Sequence, residues 1–235
     1  MSPKPTLVLL PGLDGTGQLF DAFVNALGTR AAVHIVRYPT SKSLGYEELE
    51  RLVRAQLPSR EPFFLLGESF SGPIAISIAA SNPPLLKGII LCCSFASNPR
   101  PLFTNLKSVA TLLPIHWAPR ALLSYFLLGR FATGKWETAL SAAIAQVAPS
   151  ALRARLQAVL SVDVSQQLSS PTTPILYLRA KHDRLVPQQC DAHISRLAPQ
   201  ARIVEIESPH CLLQIAPEEA AKAVATFIAE IHNSR

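Results

Sequence analysis

Charge is scarce in this chain of 235 residues: aspartate, glutamate, lysine and arginine together make up 16% of it, against 49% apolar residues. Such a balance excludes general disorder, because a solvated coil needs more charge and less apolar surface. Cysteine is also sparse. Cys92, Cys93, Cys190 and Cys211 are too few for a disulfide-dense scaffold, and no Cys-x-x-Cys pair offers metal-ligand spacing. Cys92 and Cys93 close an apolar run and are expected as small buried side chains. No apolar run reaches the roughly 20 residues that span a bilayer. Thr6 to Leu10 follows Lys4 like a faint secretion signal, but Pro11-Gly12 interrupts it at once, which favours a first sheet strand. A soluble cytoplasmic protein is the expectation. The formal charge is +6, yet arginine and lysine form no block, so a nucleic-acid partner is not expected. Arg153-Ala154-Arg155 reads as a solvated helix face. There is no internal repeat or low-complexity segment.

What is present is an alternation. Short apolar runs lie near 6–10, 32–38, 62–66, 86–92, 174–179 and 201–206, each bounded by proline, glycine or polar residues. Continuous apolarity, as in Thr6–Leu10, Phe63–Leu66 and Ile175–Leu178, suits parallel strands covered on both faces. Helical spacing recurs over 17–28, 46–57, 70–81 and 218–230, as Leu49, Leu52 and Val53 illustrate. Repeated βαβ units follow, in one domain of a size that buries a substantial core. The rhythm breaks between about 98 and 165. Leu106, Val109, Leu112, Leu113, Trp117, Leu122, Tyr125, Phe126, Phe131 and Trp136 stand there in largely helical spacing, divided by Pro101, Pro114, Pro119 and Pro149. This is too long for a bare loop. It reads as a helical cap, 98–165, inserted into a core of 1–97 and 166–235, or else as extra helices beside the sheet.

The most informative segment is Pro62-Phe63-Phe64-Leu65-Leu66-Gly67-Glu68-Ser69-Phe70-Ser71-Gly72. An apolar strand ends in a small residue, a serine and another small residue, and a helical pattern begins. That is the form of a nucleophile elbow, in which a tight strand-to-helix turn lifts a serine hydroxyl above the sheet; an ordinary turn with Ser69 as helix cap is the alternative. A nucleophilic serine needs a base, and the base an orienting acid. Asp183 follows the strand ending near Arg179, and His210 follows the strand ending near Ile206. The chain order serine, aspartate, histidine puts all three at carboxyl ends of strands. Asp163 is a weaker substitute acid, since it does not follow a strand. His182 adjoins Asp183 too closely to be its aligned partner. His34, His116, His193 and His232 have no partnered context, and no metal site emerges from them.

An acyl-transfer site also needs donors for a developing oxyanion. The turn Leu10-Pro11-Gly12-Leu13-Asp14-Gly15-Thr16-Gly17 precedes a helix, so the backbone amide of Leu13 can join that of Phe70. A phosphate-cradling loop is the rival reading, but neither a Gly-Lys-Ser/Thr ending nor Gly-x-Gly-x-x-Gly is present.

These segments together resemble the α/β-hydrolase superfamily, particularly small carboxylesterases and the pimeloyl-carrier-protein methyl ester esterase-like group. The likeness rests on Leu9 to Gly15, Gly67 to Gly72, Asp183-Arg184-Leu185-Val186-Pro187 and His210. It implies an α/β fold with Ser69 as nucleophile, Asp183 as acid, His210 as base, and the Leu13 and Phe70 amides as oxyanion hole. Relatives commonly begin with an antiparallel hairpin for which there is no room here, so a reduced, mostly parallel sheet of about six strands is implied. Three departures stand out: Pro11 where many relatives have histidine, Ser71 in place of the second elbow glycine, and Ser208-Pro209 before His210 where glycine is frequent.

The expected activity is hydrolysis of short- to medium-chain carboxylic esters through an acyl-enzyme, with no cofactor and no metal. The expected partner is a small acyl ester, without nucleic acid or stable membrane insertion; the oligomeric partner is unknown. An acyl thioesterase and a non-catalytic binding protein of the same fold are the alternatives.

Overall fold

A computed structural model describes residues 4–101, 120–169 and 173–233. Six strands form one sheet: β1 (Thr6–Leu10), β2 (Ala32–Ile35), β3 (Phe63–Glu68), β4 (Leu86–Cys92), β5 (Ile175–Ala180) and β6 (Arg202–Ile206). Their spatial order is β2-β1-β3-β4-β5-β6, and every neighbouring pair is parallel. The expected runs are all found, although the 32–38 run leaves the ladder after Ile35.

Each strand sends alternate side chains to opposite faces, so the sheet has two cores. Leu7, Leu9, Phe64 and Leu66 pack with Phe23 and Leu27 of helix α1 (Asp21–Leu27) and with Val224, Phe227 and Ile228 of the C-terminal helix, Pro217–Asn233. Val8, Leu10, Phe63 and Leu65 face the other way. They meet Leu49 and Val53 of α2 (Tyr46–Arg54), Ile74 and Ile78 of α3 (Gly72–Ala80), and Ile194 of the helix Gln189–Leu197. Burying one such leucine or phenylalanine contributes about 1.5–3 kcal/mol, which is why β3, with no exposed residue, can be wholly apolar up to Gly67. The edge strands β2 and β6 are only partly covered.

Between β4 and β5 the described residues form α4 (Arg120–Leu127), α5 (Gly134–Ala145), α6 (Pro149–Ser161) and the short α7 (Ser165–Leu168). The excursion is pinched at its base. Asn98 N–H donates to Val162 O at 3.0 Å, Val164 N–H donates to Ala96 O at 2.7 Å, and Ser97 bridges Asp163. Leu106, Val109, Leu112, Leu113, Pro114, His116, Trp117 and Pro119 lie outside the described residues.

One expectation is overturned. Arg155 is not on a solvated face: it is fully buried. Leu152, Arg155 and Val159 recur at three- and four-residue spacing on α6 and share its inward stripe. Cys92 and Cys93 are buried as expected.

The strand order places the site. The chain leaves β1 towards β2 on one side and returns to β3 on the other, so a crevice opens at the carboxyl ends of β1 and β3. The loop 11–17 and the turn at Ser69 flank it.

Candidate active site

Ser69 sits in a 3₁₀ turn, Ser69–Ser71, directly after β3, with φ of 48°. A left-handed conformation is costly for a serine and is held by its surroundings. Gly67 and Gly72 make the turn possible. A Cβ on Gly67 would lie 2.7 Å from Ser71 O, and one on Gly72 would overlap Ser94 Oγ. The obligatory second glycine is therefore Gly72, one place later than the usual pattern. Ser94 Oγ in turn donates to Ser69 O at 2.6 Å.

Ser71 uses its hydroxyl. It donates to Pro11 O and lies 2.6 Å from the Tyr38 hydroxyl, which is then the donor to it. The serine at this position thus ties the elbow to the loop after β1. Tyr46 covers the same turn from the other side: its ring stacks on Phe70 with centroids 4.7 Å apart, and its hydroxyl donates to Phe70 O at 3.0 Å.

His210 lies between β6 and the short helix Leu212–Ile215, and Asp183 lies in the loop after β5. Lys181 N–H to Ile206 O and His182 N–H to Ser208 O, at 2.9 and 3.0 Å, extend the β5–β6 pairing into these loops and set them side by side. His210 Nε2 is 2.9 Å from Ser69 Oγ, and His210 Nδ1 is 2.7 Å from Asp183 Oδ2. Asp183 divides its carboxylate: Oδ1 accepts the amides of Leu185 and Val186, each at 2.8 Å. The run Asp183-Arg184-Leu185-Val186 therefore folds around its own acid, which fixes where Oδ2 points.

The structure brings Ser69, Asp183 and His210 together from positions separated by 141 and 27 residues. The competing groups lie elsewhere. Asp163 accepts the Ser165 amide. His182 pairs with Glu207 at 2.6 Å, and His193 with Ser165 and Arg196.

Burial by itself pushes the His210 pKa down, but the charge and hydrogen bond of Asp183 together with the charge of Glu68 outweigh it, so the net shift is upward. Glu68, next to Ser69, is buried. Desolvation raises its pKa to about 7 against a hydrogen bond from Gln214 Nε2 at 2.9 Å; nearby Asp14 raises it further, while His210 and the Gly12 amide lower it.

Cys93 stands beside the pair, its Sγ within 4.8 Å of the Asp183 and His210 donor atoms. The donor set does not suit a metal ion. Both His210 nitrogens are engaged, and burial raises the Cys93 thiol well above its ordinary pKa, which disfavours the thiolate a metal needs.

Leu13 and Phe70 flank the crevice. The five carbonyls from Pro11 to Gly15 all accept: Pro11 O from Ser71, Gly12 O from the Gly15 amide, Leu13 O and Asp14 O from Arg155, and Gly15 O from the Tyr38 amide. Sequence marked Ser71 and Glu68 only as members of the elbow motif, and did not mark Tyr38, Ser94 or Arg155 as parts of this site. Of these three, only Arg155 carried a signal, the apolar helical stripe it shares.

The sequence model described as the alpha/beta hydrolase family matches residues 7–225. "Putative carbamate hydrolase RutD" of Pseudomonas syringae pv. syringae is 26% identical over 224 residues, covering 86% of this chain and 85% of its own. "Phytyl ester synthase 1, chloroplastic" of Arabidopsis thaliana is 30% identical over 131 residues, which are 52% of this chain but 19% of that protein. A solved structure from work on carboxylesterases of the thaumarchaeon Nitrososphaera gargenis superposes with a TM-score of 0.83 at 15% identity, covering 99% of this chain and 92% of that one. At that identity the likeness is one of fold. With the family match spanning nearly its whole length, the chain belongs to the alpha/beta hydrolase family.

Proposed function

We propose that this serine hydrolase cleaves short- to medium-chain carboxylic esters through an acyl-enzyme. The observation that carries the reading is the continuous relay from Ser69 Oγ through His210 to Asp183 at 2.9 and 2.7 Å. Neutral His210 takes the Ser69 proton as the oxygen attacks the acyl carbon, and Asp183 stabilises the imidazolium that results. The amides of Leu13 and Phe70 receive the negative oxygen. His210 then gives its proton to the departing alcohol, and the same imidazole activates water to release the acid. No cofactor enters these steps.

An apolar acyl chain is supported by the faces that cap and core turn to one another. Phe95, Val162 and Val186 cluster with Tyr46 and Val159, while Val147, Ala151 and Leu152 pack on Leu13. The cap, taken as 98–165, would then shape the acyl pocket. Within the superfamily we place the chain beside small carboxylesterases and the pimeloyl-carrier-protein methyl ester esterase-like group, on the loop and elbow residues named above. A thioester is the second reading. It is favoured by Arg130 and Arg184, which line a cavity of about 160 Å³ beside Asp183, cations that would suit an anionic carrier. The name of the Pseudomonas relative adds carbamates as a third substrate class to try.

A panel that varies acyl length and leaving group independently separates these. The ester reading predicts the highest kcat/KM on oxygen esters, with a maximum at short or medium acyl length. Activity confined to thioesters or carbamates would overturn it, and equal rates across acyl lengths would remove the shaped pocket.

A further inference from the structure

Among the described residues Arg155 is the largest fully buried side chain, and it comes from the cap while its partners belong to the core. Its Nη1 donates to Leu13 O and Asp14 O, both at 2.8 Å, and its Nη2 donates to Pro39 O at 3.0 Å. The guanidinium also lies 5.6 Å from the centroid of the Tyr38 ring. A Cβ on Gly15 would come within 2.6 Å of Nη1, so the loop fits closely around it. Burying an arginine is expensive unless its donors are used. Here both Nη atoms are spent on backbone carbonyls of the loops after β1 and β2, while Nε is buried without a hydrogen-bond partner.

We infer that Arg155 is a positioning residue through which cap helix α6 sets the direction of the Leu13 amide, and hence the oxyanion-hole geometry. The inference rests on the serine-hydrolase reading above. The Leu13 amide belongs to a peptide unit whose carbonyl, Gly12 O, is held by the Gly15 amide at 3.1 Å. The peptide unit on the other side of Leu13 presents its carbonyl to Arg155. With both flanking planes fixed, the N–H of Leu13 has one direction left. Side-chain packing adds to this: Leu13 is gripped by Val147, Ala151 and Leu152 of the cap. Two further contacts hold cap and loop in register. Ala148 N–H donates to Thr40 O at 2.8 Å, and the Gln18 and Gln146 amides exchange hydrogen bonds at 2.9 and 2.8 Å. From Arg155 the contacts run on through Tyr38 to Ser71 and Pro11, so one cation orders both walls of the crevice.

The cap is then part of the catalytic framework as well as a cover. A purely structural arginine would change how many molecules fold. A positioning arginine changes what each folded site can do, and does so for the oxyanion above all.

The test compares wild type with Arg155→Met and Arg155→Lys, using p-nitrophenyl butyrate as substrate and an alkyl trifluoromethyl ketone as inhibitor. Active sites are counted by fluorophosphonate labelling. The ketone forms a hemiketal whose oxygen occupies the oxyanion position, so its Ki reads the hole directly. For Arg155→Met the expected result is a fall in kcat per labelled site of about 10- to 100-fold. KM should stay within about threefold, and Ki should rise in step with the loss of kcat/KM. Arg155→Lys keeps the charge but not the fork, so both readouts should move together by a smaller factor. It carries the test alone if the methionine variant does not fold. The inference is overturned if kcat and Ki per labelled site match wild type, or if kcat falls while Ki does not move. Wild type that neither labels nor hydrolyses would instead overturn the serine-hydrolase reading.

Discussion

The hydroxyl of Ser71 stands 2.6 Å from that of Tyr38 and donates to the carbonyl of Pro11. This buried tie explains why the elbow departs from the pattern with glycine at that position. Restoring that glycine should therefore weaken the protein. Ser71→Gly leaves Pro11 O and the Tyr38 hydroxyl without their partner, and the expected loss is about 2 kcal/mol of unfolding free energy. Denaturant titration measures it, together with a fall in kcat as the loop after β1 loosens. A variant as stable and as active as wild type would show that the tie is idle.

His210 must be neutral to act as base, and Asp183 and Glu68 together raise its pKa above 6.5 despite burial. The acid limb of kcat/KM should accordingly have its midpoint above pH 6.5, activity rising as the imidazole loses its proton. Asp183→Asn removes the charge and replaces one accepting carboxylate oxygen with an NH2 donor. The limb should move to lower pH, and the plateau should drop by roughly 10⁴-fold, because an amide no longer holds the productive tautomer. A pH–rate profile of each protein checks both.

Glu68 gives a stability signature that is independent of turnover. Its pKa in the folded protein is about 7, raised by desolvation from 4.5. The folded state therefore binds this proton more tightly than the unfolded chain does. Its contribution is full below about pH 4.5 and is lost as pH rises through about 7, a change of at most about 3 kcal/mol. Glu68→Gln cannot ionise and should lose this slope. Unfolding free energies at pH 5 and pH 8 should thus diverge less in the variant than in wild type. Identical pH dependence in the two would contradict the assignment.

Much of this was readable in the chain because the signals are local. Continuous apolar runs mark strands buried on both faces, and Gly67 to Gly72 marks a turn that few residues allow. Asp183 and His210 follow strands in chain order, which the fold converts into proximity. What escaped the sequence is what depends on distant partners. Arg155 looks solvated beside Arg153, and only the distant carbonyls of Leu13, Asp14 and Pro39 make its burial tolerable. Ser71 looks like an imperfect match until Pro11 and Tyr38 are seen around it. Glu68 occupies a variable position of the motif, and its burial follows from Gln214 and the Gly12 amide closing over it. Such groups are selected by tertiary hydrogen bonding, whose partners no local sequence pattern names.

The most direct test of the central claim is covalent labelling with a fluorophosphonate, followed by peptide mass analysis. Labelling should reach one equivalent, fall on Ser69, and vanish together with esterase activity in Ser69→Ala. A modified residue other than Ser69, or a Ser69→Ala protein that hydrolyses esters like wild type, would contradict it.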